Sequence, residues 1–257
     1  MCKCCLQSLL LGLIALAPRL TFADDAPPPV PPKVAVCTPL AVPVGATTKV
    51  ILRGWTIDKA TAVKCDNDKV ALKVVTAGTA PVPGKQDAKV IGDQQLELEV
   101  TTPSDFSPGP VELTVVAPSG ESMSHTLLVG GDQPLVAETE PNDGFRQAQP
   151  ISTSQIVDGQ IHADGNVDVF SFELTESTKL QIEVQAAQLG SCLDSLLTLY
   201  NAAGSVISSH DDQADTTDSE LDVTLGPGRY FVCLQDAHDR GGPAHPYRLI
   251  VKHSPAP

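Results

Sequence analysis

The chain has few basic residues and few aromatic ones. Its 257 residues include 17 Lys and Arg against 31 Asp and Glu, for a formal net charge of −14, and aromatic residues make up 4 %. Nucleic-acid binding needs clustered Lys and Arg to neutralise phosphates, and the basic residues here are scattered. The sequence therefore excludes that class of partner. It also lacks an aromatic-rich binding face, because two of its three tyrosines, Tyr230 and Tyr247, occupy predicted core positions.

The local motifs of common enzymes are missing. The six histidines form no H-E-x-x-H or H-x-H pair, and no Gly-x-Ser-x-Gly turn is present. Neither Gly130-Gly131 nor Gly241-Gly242 is followed by the Lys-Ser/Thr pair of a phosphate-binding loop. These absences favour a non-catalytic protein. A Ser-His-Asp triad assembled from distant positions stays the alternative.

No apolar run is long enough to span a bilayer, which takes roughly 20 residues in a helix. Residues 1–23 combine the basic Lys3, an apolar stretch at 9–17 and small residues before Asp24-Asp25, a pattern typical of a cleavable secretory signal. Cys2, Cys4 and Cys5 precede the apolar stretch, so no lipid anchor is expected. We predict a secreted or periplasmic protein. Loss of Lys3 and Arg19 with the signal moves the formal charge from −14 to −16.

Four cysteines remain after the signal: Cys37, Cys65, Cys192 and Cys233. An oxidising compartment and two predicted domains favour disulfides between Cys37 and Cys65 and between Cys192 and Cys233, because each pair would then cross-link one core. These four contain no C-x-x-C, which argues against zinc. Four buried free thiols are the remaining alternative.

Short apolar runs separated by turn residues predict an all-β chain. After a proline-rich linker at 24–32, the first block of runs is 34–36, 49–52, 70–75, 96–100, 111–116 and 126–129. A linker at 131–135 separates it from a second block, whose best runs are 170–174, 180–184, 221–225 and 247–251. Alternation with a period of two, as in Leu96-Glu97-Leu98-Glu99-Val100, is typical of strands with one buried face. We predict two tandem antiparallel β-sandwiches, immunoglobulin-like at 33–130 and jelly-roll-like at 136–252, with a tail at 253–257.

An acidic turn, Glu138-Thr139-Glu140-Pro141-Asn142-Asp143, precedes the predicted strand that begins near Asp168. Carboxylate and amide oxygens suit a hard cation, so the turn and Asp168 together suggest a calcium site. A bound divalent cation would also relieve part of the repulsion in a strongly acidic chain. The alternative to a calcium site is an ordinary turn, since Asn-Asp-Gly is a common turn sequence. The alternative explanation of the negative net charge is that it keeps the protein soluble.

Residues 136–252 resemble the bacterial pre-peptidase C-terminal domain, whose relatives include collagen-binding domains of secreted collagenases. The motifs that carry the resemblance are Glu138-x-Glu140-Pro141-Asn142-Asp143, Gly159-x-Ile161, Asp168-Val-Phe-Ser-Phe, Leu193-Asp194-x-x-Leu197-x-Leu199-Tyr200, Asp211-Asp212, Asp218-Ser219-x-Leu221 and Gly228-Arg229-Tyr230. The resemblance implies a non-catalytic jelly-roll-like sandwich appended to secreted proteins. It does not imply that this chain binds collagen.

The resemblance also implies a ligand set for calcium, consisting of Glu138, Glu140, Asn142, Asp143 and Asp168. The sequence departs from the family pattern at one point. Relatives carry another acid two or three residues before the position of Asp168, whereas Gly165 and Asn166 stand there in this chain.

Two further segments are interpreted from the sequence. Residues 33–129 resemble the immunoglobulin-like IPT/TIG domains through Pro43-x-Gly45-x-Thr47-x-Lys49 and the following Val-Ile-Leu-Arg-Gly-Trp.

A second acidic cluster follows the run that ends at Ile207 and consists of Asp211, Asp212, Asp215, Asp218 and Asp222. We interpret this cluster as a solvated hairpin loop, with a second cation site as the alternative.

These observations predict a secreted, non-catalytic binding protein, stabilised by calcium, whose partner is an extracellular or cell-envelope protein or polysaccharide. The alternatives are an accessory segment of a secreted hydrolase or peptidase system, and a purely structural spacer. Because folds do not fix functions, the partner class depends on resemblance.

Overall fold

The structure is a computed structural model that describes residues 28–253. The predicted signal segment at 1–23, residues 24–27 of the proline-rich linker and residues 254–257 of the tail lie outside the described residues. Within the described part, strands form two groups that share no sheet. We call the group from Lys33 to Val129 the N-terminal sandwich and the group from Leu135 to His253 the C-terminal sandwich.

The N-terminal sandwich consists of nine strands and one short helix. Its elements are β1 (Lys33–Thr38), β2 (Ala41–Val42), β3 (Thr47–Trp55), β4 (Ala62–Cys65), β5 (Ala71–Thr79), α1 (Ala88–Ile91), β6 (Gln94–Thr101), β7 (Gly109–Ala117), β8 (Gly120–Glu121) and β9 (His125–Val129). One sheet has the order β1-β3-β6-β5, and the other has the order β2-β9-β7-β4 with β8 paired to β7.

The C-terminal sandwich contains ten strands in two five-stranded sheets. Its strands are β10 (Leu135–Ala137), β11 (Gln149–Pro150), β12 (Gln155–Gln160), β13 (Val167–Leu174), β14 (Thr178–Gln185), β15 (Ser195–Asn201), β16 (Val206–His210), β17 (Glu220–Leu225), β18 (Gly228–Asp236) and β19 (Pro246–His253). A single 3₁₀ turn at Ala187–Leu189 follows β14. The sheet orders are β10-β12-β19-β14-β17 and β11-β13-β18-β15-β16.

The predicted alternation is present in the structure, and the all-β fold class is confirmed. Leu96, Leu98 and Val100 are fully buried in the core between the two N-terminal sheets, and the intervening Glu97 and Glu99 pair with lysines at 2.7 Å and 2.9 Å. The sheets are not purely antiparallel, however, because β2 with β9, β10 with β12 and β11 with β13 pair in parallel. Two of these three pairings are formed by two-residue strands, which carry little sequence signal of direction.

The two sandwiches contact each other through a small apolar cluster. Val36 and Ile91 from the N-terminal sandwich pack with Ala244 from the C-terminal sandwich, and the cluster is joined by Val82 and Cys192. Polar contacts also connect the two sandwiches, including a hydrogen bond from the Gln86 amide to the carbonyl of Gly241 and one of 3.3 Å from Arg248 Nη2 to the carbonyl of Gly130.

The predicted disulfides are not formed, and all four described cysteines are free thiols. Cys192 packs in the cluster between the sandwiches, whereas Cys233 packs with Val169 and Phe231 in a separate cluster. Cys37 and Cys65 lie on strands of opposite sheets, where the Cys37 thiol donates to the carbonyl of Pro39 at 3.4 Å. Burial raises the pKa of Cys37 to about 12 and that of Cys233 to about 11, which keeps both as neutral thiols.

Among residues 28–253, no helix is long and apolar enough to cross a membrane.

Candidate metal centre

The acidic turn is held at one end of the C-terminal sandwich by backbone hydrogen bonds to both sheets. The amide of Glu138, directly after β10, donates to the carbonyl of Asp158 in β12 at 2.8 Å. The amide of Val169 in β13 donates to the carbonyl of Asn142 at 2.9 Å. The turn therefore joins the edge of one sheet to a strand of the other.

Strand parity explains why Asp168 points into the protein. Side chains alternate along a strand, so Asp168 shares a face with Phe170 and Phe172, which both lie in the core. Asp168 is accordingly 0 % exposed. A carboxylate at such a position is costly unless other groups compensate for its lost hydration.

Three predicted residues supply a compact group of carboxylates. One oxygen from each of Glu138, Glu140 and Asp168 lies within 4.8 Å of the others. Asn142, which is also fully buried, braces the group by donating from Nδ2 to Glu138 Oε1 at 2.9 Å and from its backbone amide to Glu140 Oε2 at 3.0 Å. Four of the five predicted residues therefore meet at one place.

Tyr247 in β19 contributes a hydroxyl that the sequence did not reveal as part of the site. The hydroxyl oxygen lies 2.7 Å from Asp168 Oδ2 and 3.0 Å from Glu138 Oε1. It carries one proton, so it can donate to only one of these two carboxylates at a time. Burial raises the pKa of Tyr247 well above its ordinary value, and the phenol stays protonated. Tyr247 thus positions two acids but neutralises neither.

The electrostatics of the group favour an added positive charge. Burial raises the pKa of Asp168, and the adjacent Glu138 and Glu140 carboxylates raise it further. Like charges held this close disfavour simultaneous ionisation unless a proton or a cation lies among them. A cation at this point would allow all three carboxylates to be charged.

Two buried oxygens in the group lack a hydrogen-bond partner among the described residues. These are Asn142 Oδ1 and Asp168 Oδ1. Buried polar atoms are normally satisfied by protein, water or an ion, so orphaned acceptors mark a place where a ligand atom fits. Carboxylate and amide oxygens form the donor set that hard cations prefer, and no nitrogen or sulfur ligand is needed. The residues present therefore fit a divalent cation of the calcium type.

Asp143, the fifth predicted ligand, lies outside this group. Its side chain is exposed, and Oδ1 accepts a hydrogen bond from Asn166 Nδ2 at 2.9 Å. Asn166 occupies the region where the family pattern has an additional acid, and its Oδ1 in turn accepts from the amide of His162 at 3.1 Å. Asp143 and Asn166 thus connect two loops beside the cluster.

Gly159 makes the close approach of Tyr247 possible. A Cβ at this position would lie 2.4 Å from the Tyr247 hydroxyl oxygen and 2.7 Å from Glu138 Oε2. Those separations are too short for any side chain, so only glycine fits here. The sequence identified Gly159 as part of a motif without giving this reason for it.

The second acidic cluster has a structural role at Asp218. This residue is fully buried, and its carboxylate accepts hydrogen bonds from the amides of Ala186 at 3.1 Å, Ala187 at 2.7 Å and Gln188 at 3.2 Å. Asp211, Asp212 and Asp215 are exposed, as expected for a solvated loop. The cluster thus divides into three exposed loop acids, the buried Asp218 that caps the 3₁₀ turn, and Asp222, which is an exposed residue of β17 and not of the loop as interpreted.

The fold and this site define an all-β protein with two sandwiches, the second of which carries an acidic, oxygen-lined centre. Within the second sandwich, residues 166–236 match the family of the bacterial pre-peptidase C-terminal domain. The match confirms the resemblance drawn from the sequence. It begins after the acidic turn and includes Asp168. Domains of this family are accessory units of secreted proteins, which supports a non-catalytic role for the C-terminal sandwich.

Several solved structures are similar to this chain at low identity. The pre-peptidase C-terminal domain of a collagenase from Bacillus anthracis is 16 % identical, with a TM-score of 0.35, over 44 % of this chain and 98 % of that one. SGBP-B from the mixed-linkage glucan utilization locus of Bacteroides ovatus, solved with a heptasaccharide, is 10 % identical, with a TM-score of 0.27. The similarity covers 89 % of this chain and 74 % of that one. The secreted serine protease VesC from Vibrio cholerae is 10 % identical, with a TM-score of 0.28. The similarity covers 81 % of this chain and 47 % of that one. A search of the curated proteins returned no match.

Proposed function

We propose that this chain is an exported, non-catalytic binding protein whose C-terminal sandwich is braced by one calcium ion. The observation that carries the proposal is the group formed by Glu138, Glu140 and Asp168, with its two orphaned oxygens on Asn142 and Asp168. The partner we propose is an extracellular or cell-envelope protein or polysaccharide. The family match supports the accessory role, and the apolar segment at 1–23 supports export.

The residues of the site would act on stability and on the position of the turn. The carboxylates of Glu138, Glu140 and Asp168 would hold the ion together with the amide oxygen of Asn142. The ion supplies positive charge and no reaction chemistry. Tyr247 keeps Glu138 and Asp168 in place through its hydroxyl. Because the turn joins β10 to β13, the same contacts would tie one sheet to the other at this end of the sandwich.

Calcium is expected to raise the thermal stability of the chain. For a protein that binds only when folded, calcium at ten times its dissociation constant adds about 1.4 kcal/mol to the free energy of unfolding. That gain corresponds to several degrees in Tm. The measurement compares thermal unfolding of residues 24–257 in millimolar calcium with unfolding in excess chelator.

Matched variants make this comparison specific. The double variant Glu140→Gln, Asp168→Asn removes two charges from the group with little change in shape and should abolish the calcium-dependent rise. Asp143→Asn removes a carboxylate from the same turn but outside the group, so it should keep the rise. An equal rise in the wild type and the double variant would refute the proposed site.

A further inference from the structure

A cleft lies where the two sandwiches meet, and it shares no lining residue with the metal centre. It has a volume of about 350 Å³ and none of its walls includes a carboxylate of the acidic turn. The lining residues are Lys85, Gln86, Asp87, Val90 and Ile91 from the N-terminal sandwich, and Cys192, Arg240 and His245 from the C-terminal sandwich. Clefts of roughly 300–1,000 Å³ between domains are common sites for small molecules.

Two residues that line this cleft carry buried polar atoms without a hydrogen-bond partner. Residues 28–253 contain eight buried side-chain nitrogen or oxygen atoms without a hydrogen-bond partner, and three of them belong to Gln86 and His245. They are Gln86 Oε1 and both ring nitrogens of His245, a residue that is only 1 % exposed. Two more of the eight belong to the metal centre. The cleft therefore contains the largest group of unsatisfied polar atoms in the described chain, which indicates a hydrogen-bonding ligand.

The chemistry of these atoms restricts the kind of ligand. Gln86 Oε1 can only accept, so the ligand must donate to it. Burial lowers the pKa of His245, and a neutral imidazole presents one donor and one acceptor. Arg240, an exposed residue of the cleft wall, can donate to an acceptor from its guanidinium. A hydroxyl group both donates and accepts, so a molecule with several hydroxyls satisfies all three residues.

Charged ligands fit this cleft less well. A carboxylate at neutral pH offers Gln86 no proton, and any anion would lie near the carboxylate of Asp87. An amine would meet the positive charges of Lys85 and Arg240. The Lys85 ammonium already pairs with Asp164 across the two sandwiches at 3.4 Å. A neutral ligand avoids these conflicts, and the side chains of Val90 and Ile91 give it an apolar wall.

We propose that this cleft binds a small neutral polyhydroxylated molecule of the size of a mono- or disaccharide. The volume of about 350 Å³ is far more than the ~10–15 Å³ that a cavity needs to hold a single bridging water. The proposal goes beyond the calcium-braced binding role, because the cleft shares no residue with the metal centre. Loss of calcium binding and loss of ligand binding are therefore separable.

Cys192 provides a probe within the cleft, since its half-buried thiol is one of the lining side chains. The experiment measures iodoacetamide alkylation of Cys192 by peptide mass spectrometry in residues 24–257, with glucose, galactose, maltose and cellobiose as probes. Cys65, also half-buried but in the N-terminal sandwich, is the internal control. At ten times its dissociation constant, a bound sugar should slow alkylation of Cys192 about tenfold and leave Cys65 unchanged.

Variants and other probes decide the class of ligand. Gln86→Ala and His245→Gln should each reduce protection. Gln133→Ala should not, because Gln133 has an orphaned buried Oε1 but does not line the cleft. Saturation-transfer NMR with the same sugars provides a second measurement that does not depend on thiol reactivity. The proposal is overturned if no sugar protects Cys192 or shows transfer, if protection persists in Gln86→Ala, or if acetate or a dipeptide amide protects in place of the sugars. Repeating the assay in Glu140→Gln, Asp168→Asn should give the same protection as the wild type.

Discussion

Replacing Gly159 with alanine is expected to destabilise the C-terminal sandwich by about 1–3 kcal/mol, as for other insertions of a methyl group into a packed site. The new Cβ would lie 2.4 Å from the Tyr247 hydroxyl oxygen, which cannot move aside because Tyr247 is fully buried and packs edge-on against Phe170. Displacing the tyrosine would separate its hydroxyl from Glu138 and Asp168. The same substitution should therefore also weaken calcium binding.

Denaturant unfolding of the variant measures the first effect, and calcium titration measures the second. Gly144→Ala is the matched control, because it lies in the acidic turn's own loop and a Cβ there would have nothing within 4 Å. It should leave both properties close to those of the wild type. If Gly159→Ala were as stable as Gly144→Ala, the close packing of Gly159 against Tyr247 would be wrong.

Removing the carboxylate of Asp218 is the second change that we expect to lower the free energy of unfolding substantially. Asp218→Ala leaves the amides of Ala186, Ala187 and Gln188 without their acceptor, and Ala186 is fully buried. Hydrogen bonds to a charged acceptor contribute about 1.5–3 kcal/mol each and are not additive, so the expected loss is on the order of 3 kcal/mol. Equilibrium unfolding in urea gives the value directly.

Two comparisons separate this effect from a general loss of acidic charge. Asp218→Asn keeps an acceptor oxygen in the same place and should cost less than Asp218→Ala. Asp215→Ala removes a carboxylate from the same cluster at an exposed position and should cost almost nothing. Equal losses in Asp215→Ala and Asp218→Ala would show that Asp218 has no special role in the 3₁₀ turn.

Local sequence patterns predicted the strands and their buried faces. Alternation placed Leu96, Leu98 and Val100 in a core, and the motif resemblance placed Glu138, Glu140 and Asp168 near one another. Alternation depends on short-range order, which fixes the buried face of a strand. The grouping of the acidic turn with Asp168, which lies on a separate strand, came from the family resemblance.

Contacts between distant residues could not be predicted in this way. Tyr247 meets Glu138 across 109 residues and Asp168 across 79, and its apolar neighbours in sequence indicated only a core position. The same limitation affected the cysteines, because compartment and domain division favoured two disulfides, whereas all four cysteines are free thiols and Cys192 and Cys233 pack in different clusters. Asp143 belongs to the right turn but points towards Asn166, a choice that depends on the opposing loop.

The most direct test of the calcium site is a calorimetric titration of residues 24–257 with calcium at neutral pH. We expect one ion per chain with a dissociation constant of ~10⁻⁴ to 10⁻³ M, the range of extracellular calcium modules. We also expect no binding by Glu140→Gln, Asp168→Asn and unchanged binding by Asp143→Asn. Absence of binding by the wild type across the millimolar range, or binding that survives in the double variant, would contradict the assignment of this site.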